Sequence, residues 1–204
     1  MSVVHIIDAL TNWAREHICK EIKLKVPPAD ETEPMDTEYI YQLANPAAFP
    51  MYIPTGDKFP NGIHFSHPSL CVRFLSAQDD LAQKIGGMDV QIVFCVWDPG
   101  KHSEDIFHPN GDGSFRRQEA AETEFEQDGL GWRDVWNFVD LAVRKLESAD
   151  HIGPCTIDKS VPFEYGPVKV DEAIADFYPF WYAELSFHVT YPLMRNNEEY
   201  DQYL

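Results

Sequence analysis

Residues 131–150, GWRDVWNFVDLAVRKLESAD, constrain the fold of this chain more than any other stretch. Trp132, Val135, Trp136, Val139, Ala142, Val143 and Leu146 recur at three- and four-residue steps. That spacing places them on one stripe of an α-helix, with Arg133, Asp134, Asn137, Asp140, Arg144, Lys145 and Glu147 opposite. Gly129 and Gly131 loosen the backbone before it, and Gly153-Pro154 stops whatever follows. Two indoles on one stripe need an apolar surface broader than a single neighbouring helix offers, so a sheet face is the expected partner. The role of the segment is core packing, not catalysis.

The strands to supply that face are legible. Residues 69–76 (SLCVRFLS) read as a strand, followed by a turn-rich 77–87. Residues 89–97 (DVQIVFCVW) are apolar enough to lie centrally in a sheet, and Asp98-Pro99-Gly100 ends them with turn chemistry. Residues 180–191 (FWYAELSFHVTY) set Trp181, Ala183, Leu185, Phe187 and Val189 against Tyr182, Glu184, Ser186, His188 and Thr190. Such alternation marks a strand with one buried and one exposed face, typical of an antiparallel sheet. Residues 155–165 read as an edge or bulged strand interrupted by proline, and 168–177 as a loop or short helical turn. At the N-terminus, Val3, Ile6, Ile7, Leu10, Trp13, Ala14 and Ile18 share a helical stripe over residues 2–20, with Ser2 as N-cap. Residues 21–26 then alternate as a short strand with its lysines outward.

Residues 27–68 differ from the rest. They hold Pro27, Pro28, Pro34, Pro46, Pro50, Pro54, Pro60 and Pro68, eight of the chain's 15 prolines, which excludes a central strand or a long helix. Their aromatic and aliphatic content excludes a free linker. The segment is either an extended arm, packed on its own domain or a neighbouring subunit, or a loop covering its own core. The expected class is therefore α+β: an antiparallel β-sheet with an N-terminal helix and a long amphipathic helix on one face, plus the Pro-rich arm. One domain spans residues 1–204, with 27–68 as arm or insertion and 193–204 as a polar tail that frays.

Charge narrows the partners. Thirty-four acidic against sixteen basic residues give a formal charge of −18, which repels DNA and anionic lipid. Cys19, Cys71, Cys95 and Cys155 form no CxxC pair, and three lie in apolar runs as small hydrophobes, so neither disulfide nor zinc site is expected. The first residues lack a basic region followed by an apolar one, so no signal peptide is expected, and no apolar run has membrane-spanning length. A reducing cytoplasm is the expected place of synthesis.

No GxSxG, P-loop, GxGxxG or HExxH motif is present. His64, His67, His102, Asp105 and His108 sit in loops without a companion glutamate motif, and a metal-dependent hydrolase built on them is the alternative of a different class. HPNGDGSF, within the polar loop 101–117, favours a tight reversal at Asn110–Gly113 and lacks the leading aspartate and closing glutamate of a calcium loop. Asp171, Glu172 and Asp176 read as a solvated acidic loop rather than an acid/base pair. His5, His17 and His188 read as surface or satisfied histidines. Residues 119–128 are an acidic helical lead-in to the main helix. No catalytic, cofactor-binding or metal residue is assigned, and no cofactor is expected.

The order of elements resembles that of the tail terminator proteins of long-tailed bacteriophages, over residues 2–26 and 69–191. The resemblance is carried by the N-terminal helix, SLCVRFLS, DVQIVFCVW, GWRDVWNFVDLAVRKLE and FWYAELSFHVTY. GWRDVWNFVD and ADFYPFWYAELSF are also similar to tail-gene-cluster proteins of prophages in Gram-positive bacteria. The Pro-rich 27–68 segment departs from the smaller members. The resemblance implies a structural virion protein, not an enzyme: a homohexameric ring at the head-proximal end of the tail, assembled in the host cytoplasm. Such a ring caps the tail tube, ends its polymerisation and offers a docking surface to the head–tail connector or neck protein. DNA would pass through an acidic lumen without specific binding, and no membrane is involved. Residues 77–87, 101–117 and 171–176 are the candidate ring or tube contacts. A head–tail connector or tail completion protein of the same assembly is the nearer alternative.

Overall fold

The computed structural model describes residues 3–27, 42–54, 67–98, 107–109, 115–117, 131–174, 177 and 179–193. In chain order the elements are helix α1 (Val3–His17), strands β1 (Leu24–Val26), β2 (Gln42–Ala44), β3 (Ala47–Pro50), β4 (Ser69–Asp80), β5 (Ile85–Trp97), β6 (Phe107–Pro109) and β7 (Phe115–Arg117), helix α2 (Gly131–Ser148), then β8 (His151–Ile152), β9 (Cys155–Ile157), β10 (Glu164–Pro167), β11 (Lys169–Val170), β12 (Ala173–Ile174) and β13 (Phe180–Pro192). A mixed α+β architecture results, with two α-helices among the described residues and a mostly antiparallel sheet.

Seven strands build the main sheet in the order β3-β4-β5-β13-β9-β8, with β10 also paired to β13. Strands β5 and β13 form its centre and pair antiparallel from Phe180↔Trp97 to Pro192↔Ile85. The antiparallel expectation fails at one edge, where β3 runs parallel to β4 from Ala47↔Ser69 to Pro50↔Val72. That edge strand belongs to the Pro-rich segment, and a proline at its end is tolerated because an edge needs no second ladder. The described part of the segment thus packs on its own domain, β2 pairing with β1 and β3 with β4; residues 28–41 and 55–66 lie outside the described residues, as does the tail from 194 onward.

Register explains the core. Leu70, Val72, Ile92, Phe94, Ala183 and Leu185 fall on one sheet face, and with residues of both helices they form a single buried cluster. Helix α1 contributes Ile6, Ile7, Leu10 and Ala14; α2 contributes Val135, Phe138, Val139, Ala142 and Leu146. Phe138 is fully buried and meets Phe94 edge-on at 4.9 Å. The stripe is therefore rotated from the one read in the sequence. Phe138 lies at its centre, Trp136 packs at its edge against Tyr165, and Trp132 is 45% exposed beneath the Arg133 guanidinium. An indole near a helix end can lie outside the stripe because its face also accepts a cation.

Three further expectations are corrected. Residues 77–87 are mostly strand: β4 continues to Asp80 and β5 begins at Ile85, past a bulge between Phe74 and Ser76. Residues 168–177 hold the β11–β12 hairpin, whose local pairing the short sequence did not signal. Residues 155–165 are two strands, β9 and the start of β10, separated by a turn in which Asp158 Oδ1 accepts from Ser160. Gly153-Pro154 turns the β8–β9 hairpin, with Gly153 at φ +55°, while α2 has already ended at Ser148. Strands β6 and β7 pair antiparallel around the expected reversal. The lead-in at 119–128 lies outside the described residues.

Candidate functional site

At the far end of the β4–β5 hairpin, three carboxylates line an open groove of about 410 Å³. Its walls come from β4, β5 and β13, and its lining includes Asp79, Asp80, Asp89, Ser76, His188 and Thr190. Ser76 Oγ donates to Asp89 Oδ2 at 2.5 Å, and His188 Nδ1 lies 2.8 Å from Asp89 Oδ1. The Ser76 hydroxyl, and after it His188, hold the Asp89 carboxyl below the usual carboxylate range. Tyr191 donates to Asp79, and Asp80 Oδ1 accepts from the turn amides of Ala82 and Gln83, 2.9 Å each. The groove exists because two glycines make room for it. A Cβ at Gly87 would stand 2.7 Å from His188 Nε2, and one at Gly86 would collide with the Tyr191 ring. The Gly86-Gly87 doublet just before an apolar strand was the available sequence signal. Chemically, the groove offers oriented acceptors to a polar or cationic surface and holds no activated nucleophile.

A second polar cluster sits at the other end of the sheet. Lys25 Nζ lies 2.7 Å from Asp98 Oδ2, with the two side chains 15% and 1% exposed. The expected outward lysine therefore turns inward here, because β1 crosses the exit of β5 and brings the ammonium to the buried Asp98 carboxylate. Asp134 of α2 joins the cluster, its carboxyl raised by burial and by the Asp98 charge, with Lys25 opposing. Trp181 Nε1 donates to the Asp98 carbonyl at 2.9 Å, and any Cβ at Gly131 would overlap that indole. Four elements, β1, β5, α2 and β13, are pinned at this point. The arrangement is a structural junction.

Of the loop histidines, His67 alone has a described side chain. It sits against Phe180 and Tyr182, at ring distances of 4.8 and 6.4 Å, with Ser69 Oγ 3.5 Å and Cys95 Sγ 4.0 Å from its nitrogens. Desolvation lowers its pKa to about 4 and raises the Cys95 thiol to about 12. At neutral pH this is an uncharged imidazole beside an intact thiol, the opposite of an activated cysteine. All four cysteines are buried and free. His64, His102, Asp105 and Asp176 lie outside the described residues, and His108 is placed on β6 without a described side chain. Among the described residues no three His, Cys, Asp or Glu groups are placed to share a metal ion. Asp171 and Glu172 form the turn of the β11–β12 hairpin. His5 and His17 lie on the exposed side of α1, His17 beside Trp13.

Among described residues no helix is long and apolar enough to cross a membrane. Comparison with family models, with curated proteins and with solved structures found no match, so the reading of function rests on this geometry.

Proposed function

We propose that this chain is a structural subunit that assembles with copies of itself into a ring capping a tail tube, as a bacteriophage tail terminator does. One observation carries the reading. Two hairpins present exposed aliphatic and aromatic side chains, Leu75, Leu81 and Ile85 on β4–β5 and Val170, Ile174 and Phe177 on and beside β11–β12. Among the described residues, His67 and the four cysteines are buried in un-ionised form, and Asp79, Asp80, Asp89 and His188 are engaged in the chain's own hydrogen bonds. Apolar side chains presented on protruding strands are surfaces that association would cover. With a formal charge of −18, copies repel at long range, so association must come from such short-range contacts and should strengthen with salt. The same charge suits a lumen through which DNA slides without sticking. The remainder of the Pro-rich segment serves in this reading as an arm toward a neighbouring subunit.

Mass photometry over a concentration series at low and high salt, with and without tail tubes, tests the proposal. A discrete ring, or tubes whose ends become blocked to further growth, is the expected result. A chain that stays monomeric and leaves tube growth unchanged would refute it. Discrete particles that bind necks but not tube ends would replace the terminator role with that of a connector.

A further inference from the structure

Around β10 the surface carries a protrusion and a furrow of matching chemistry. The protrusion is the β11–β12 hairpin, whose turn residues Asp171 and Glu172 have φ of 49° and 67°. Two consecutive non-glycine residues in the left-handed region are strained, and this hairpin has few side-chain contacts to offset the strain, since Val170 and Ile174 are exposed. The pairing Lys169↔Ile174 and Val170↔Ala173 sends those two apolar side chains to opposite sides of the hairpin. The furrow, about 390 Å³, lies between α2 and the segment leading into β10. Val143, Val161, Pro162 and Phe163 make it apolar, and Glu147 and Lys159 stand on its rim. A furrow of that volume, lined in this way, admits aliphatic side chains.

Within one molecule the two cannot meet. Phe163 packs on Phe187, whereas Val168 donates to the Tyr182 carbonyl, so about five strand residues, roughly 17 Å, separate the ends of β10. We propose that the β11–β12 hairpin of one copy packs one face on the α2–β10 furrow of the next, placing Ile174, which shares that face with Lys169, against Val161 and Phe163. The proposal rests on the ring reading and specifies its contact. Charge agrees: the hairpin carries Lys169 followed by Asp171 and Glu172, and the furrow rim carries Glu147 and Lys159. Acid at the tip meets Lys159, and Lys169 meets Glu147. The present partner of Lys159 is Asp150, an exposed pair 2.6 Å apart, which contributes little and exchanges readily. A second copy is the occupant because the chain itself supplies both complementary halves. The two patches differ, so the contact is head-to-tail and closes into a ring when its rotation permits.

The test uses three full-length chains in sedimentation velocity: the parent, a hairpin variant (Val170→Asp with Ile174→Asp) and a furrow variant (Val161→Asp with Lys159→Glu). All four substituted positions are exposed, so thermal melts of the variants should match the parent. The parent should assemble, and each variant alone should lose at least tenfold in association affinity. An equimolar mixture of the two variants should form dimers and stop there, since one intact hairpin still meets one intact furrow. Asp171→Lys alone should weaken assembly, and adding Lys159→Asp in the same chain should restore it. Variants that assemble like the parent would overturn this contact while leaving the ring reading intact. A mixture that remains monomeric would overturn the pairing of hairpin with furrow. A parent that never assembles would remove both.

Discussion

The two ends of strand β4 belong to one continuous strand and have opposite fates. Ser69–Val72 are buried, with Cys71 and Leu70 inaccessible, whereas residues 75–80 are exposed. Strand β5 follows the same gradient in reverse, from an exposed Ile85 to a fully buried Cys95 and Val96. At the sealed end, apolar groups cover both sheet faces and even His67 is held neutral. At the open end one face carries the acidic groove. The difference teaches that strand pairing and burial are separate constraints here: β4 stays paired to Asp80, through six exposed residues at 75–80, after its own buried stretch has ended.

The largest expected effect lies at the sealed end. Phe138→Ala should lower stability by about 3–5 kcal/mol, because the ring fills the space beneath Phe94; urea unfolding measures it, and Trp136→Ala, at the edge of the stripe, should cost less. Lys25→Met should cost a similar amount, about 3–5 kcal/mol, by leaving Asp98 charged and buried. If the Lys25→Met chain unfolds at the parental urea midpoint, the junction is not holding the sheet end.

His67 sharpens the comparison through pH. Its folded pKa is depressed to about 4 from about 6.5 unfolded, so its contribution is full above pH ~6.5 and is lost as pH falls toward 4. That amounts to about 3 kcal/mol. His67→Phe should flatten this part of the stability–pH curve measured by denaturant midpoints between pH 4 and 7.

Smaller effects belong to the open end. Gly86→Ala should destabilise by about 1–3 kcal/mol, since the added methyl must displace the buried Tyr191 ring. Leu75→Ser should leave the melt within about 0.5 kcal/mol of the parent, because that side chain touches solvent. A large loss on Leu75→Ser would mean that the exposed half of β4 is core after all.

Much of the fold was legible in local pattern. The alternation at 180–191 places Ala183, Leu185, Phe187 and Val189 on the buried face, and they are buried. The helix at 131–148 was legible as a helix, yet its inward direction was read about one position off, since seven apolar residues cover more than one stripe and Phe138 was passed over. Glycine-rich and acidic stretches were read as turns where they are strand, because propensity at 77–87 favours loops and only the pairing of β4 with β5, and of β5 with β13, overrules it. The candidate groove was illegible for a related reason: Asp89 and His188 stand 99 positions apart and meet only through register.

By itself, the amino-acid order determined which segments are apolar enough to be helix or strand, since hydrophobic period is a property of neighbours along the chain. It also determined the formal charge of −18, which is a matter of residue count alone. Tertiary structure alone decided that Lys25 turns inward to Asp98, that His67 loses its proton and that β4 outruns its core. Each of these depends on desolvation by residues distant in sequence, and no local pattern records that distance.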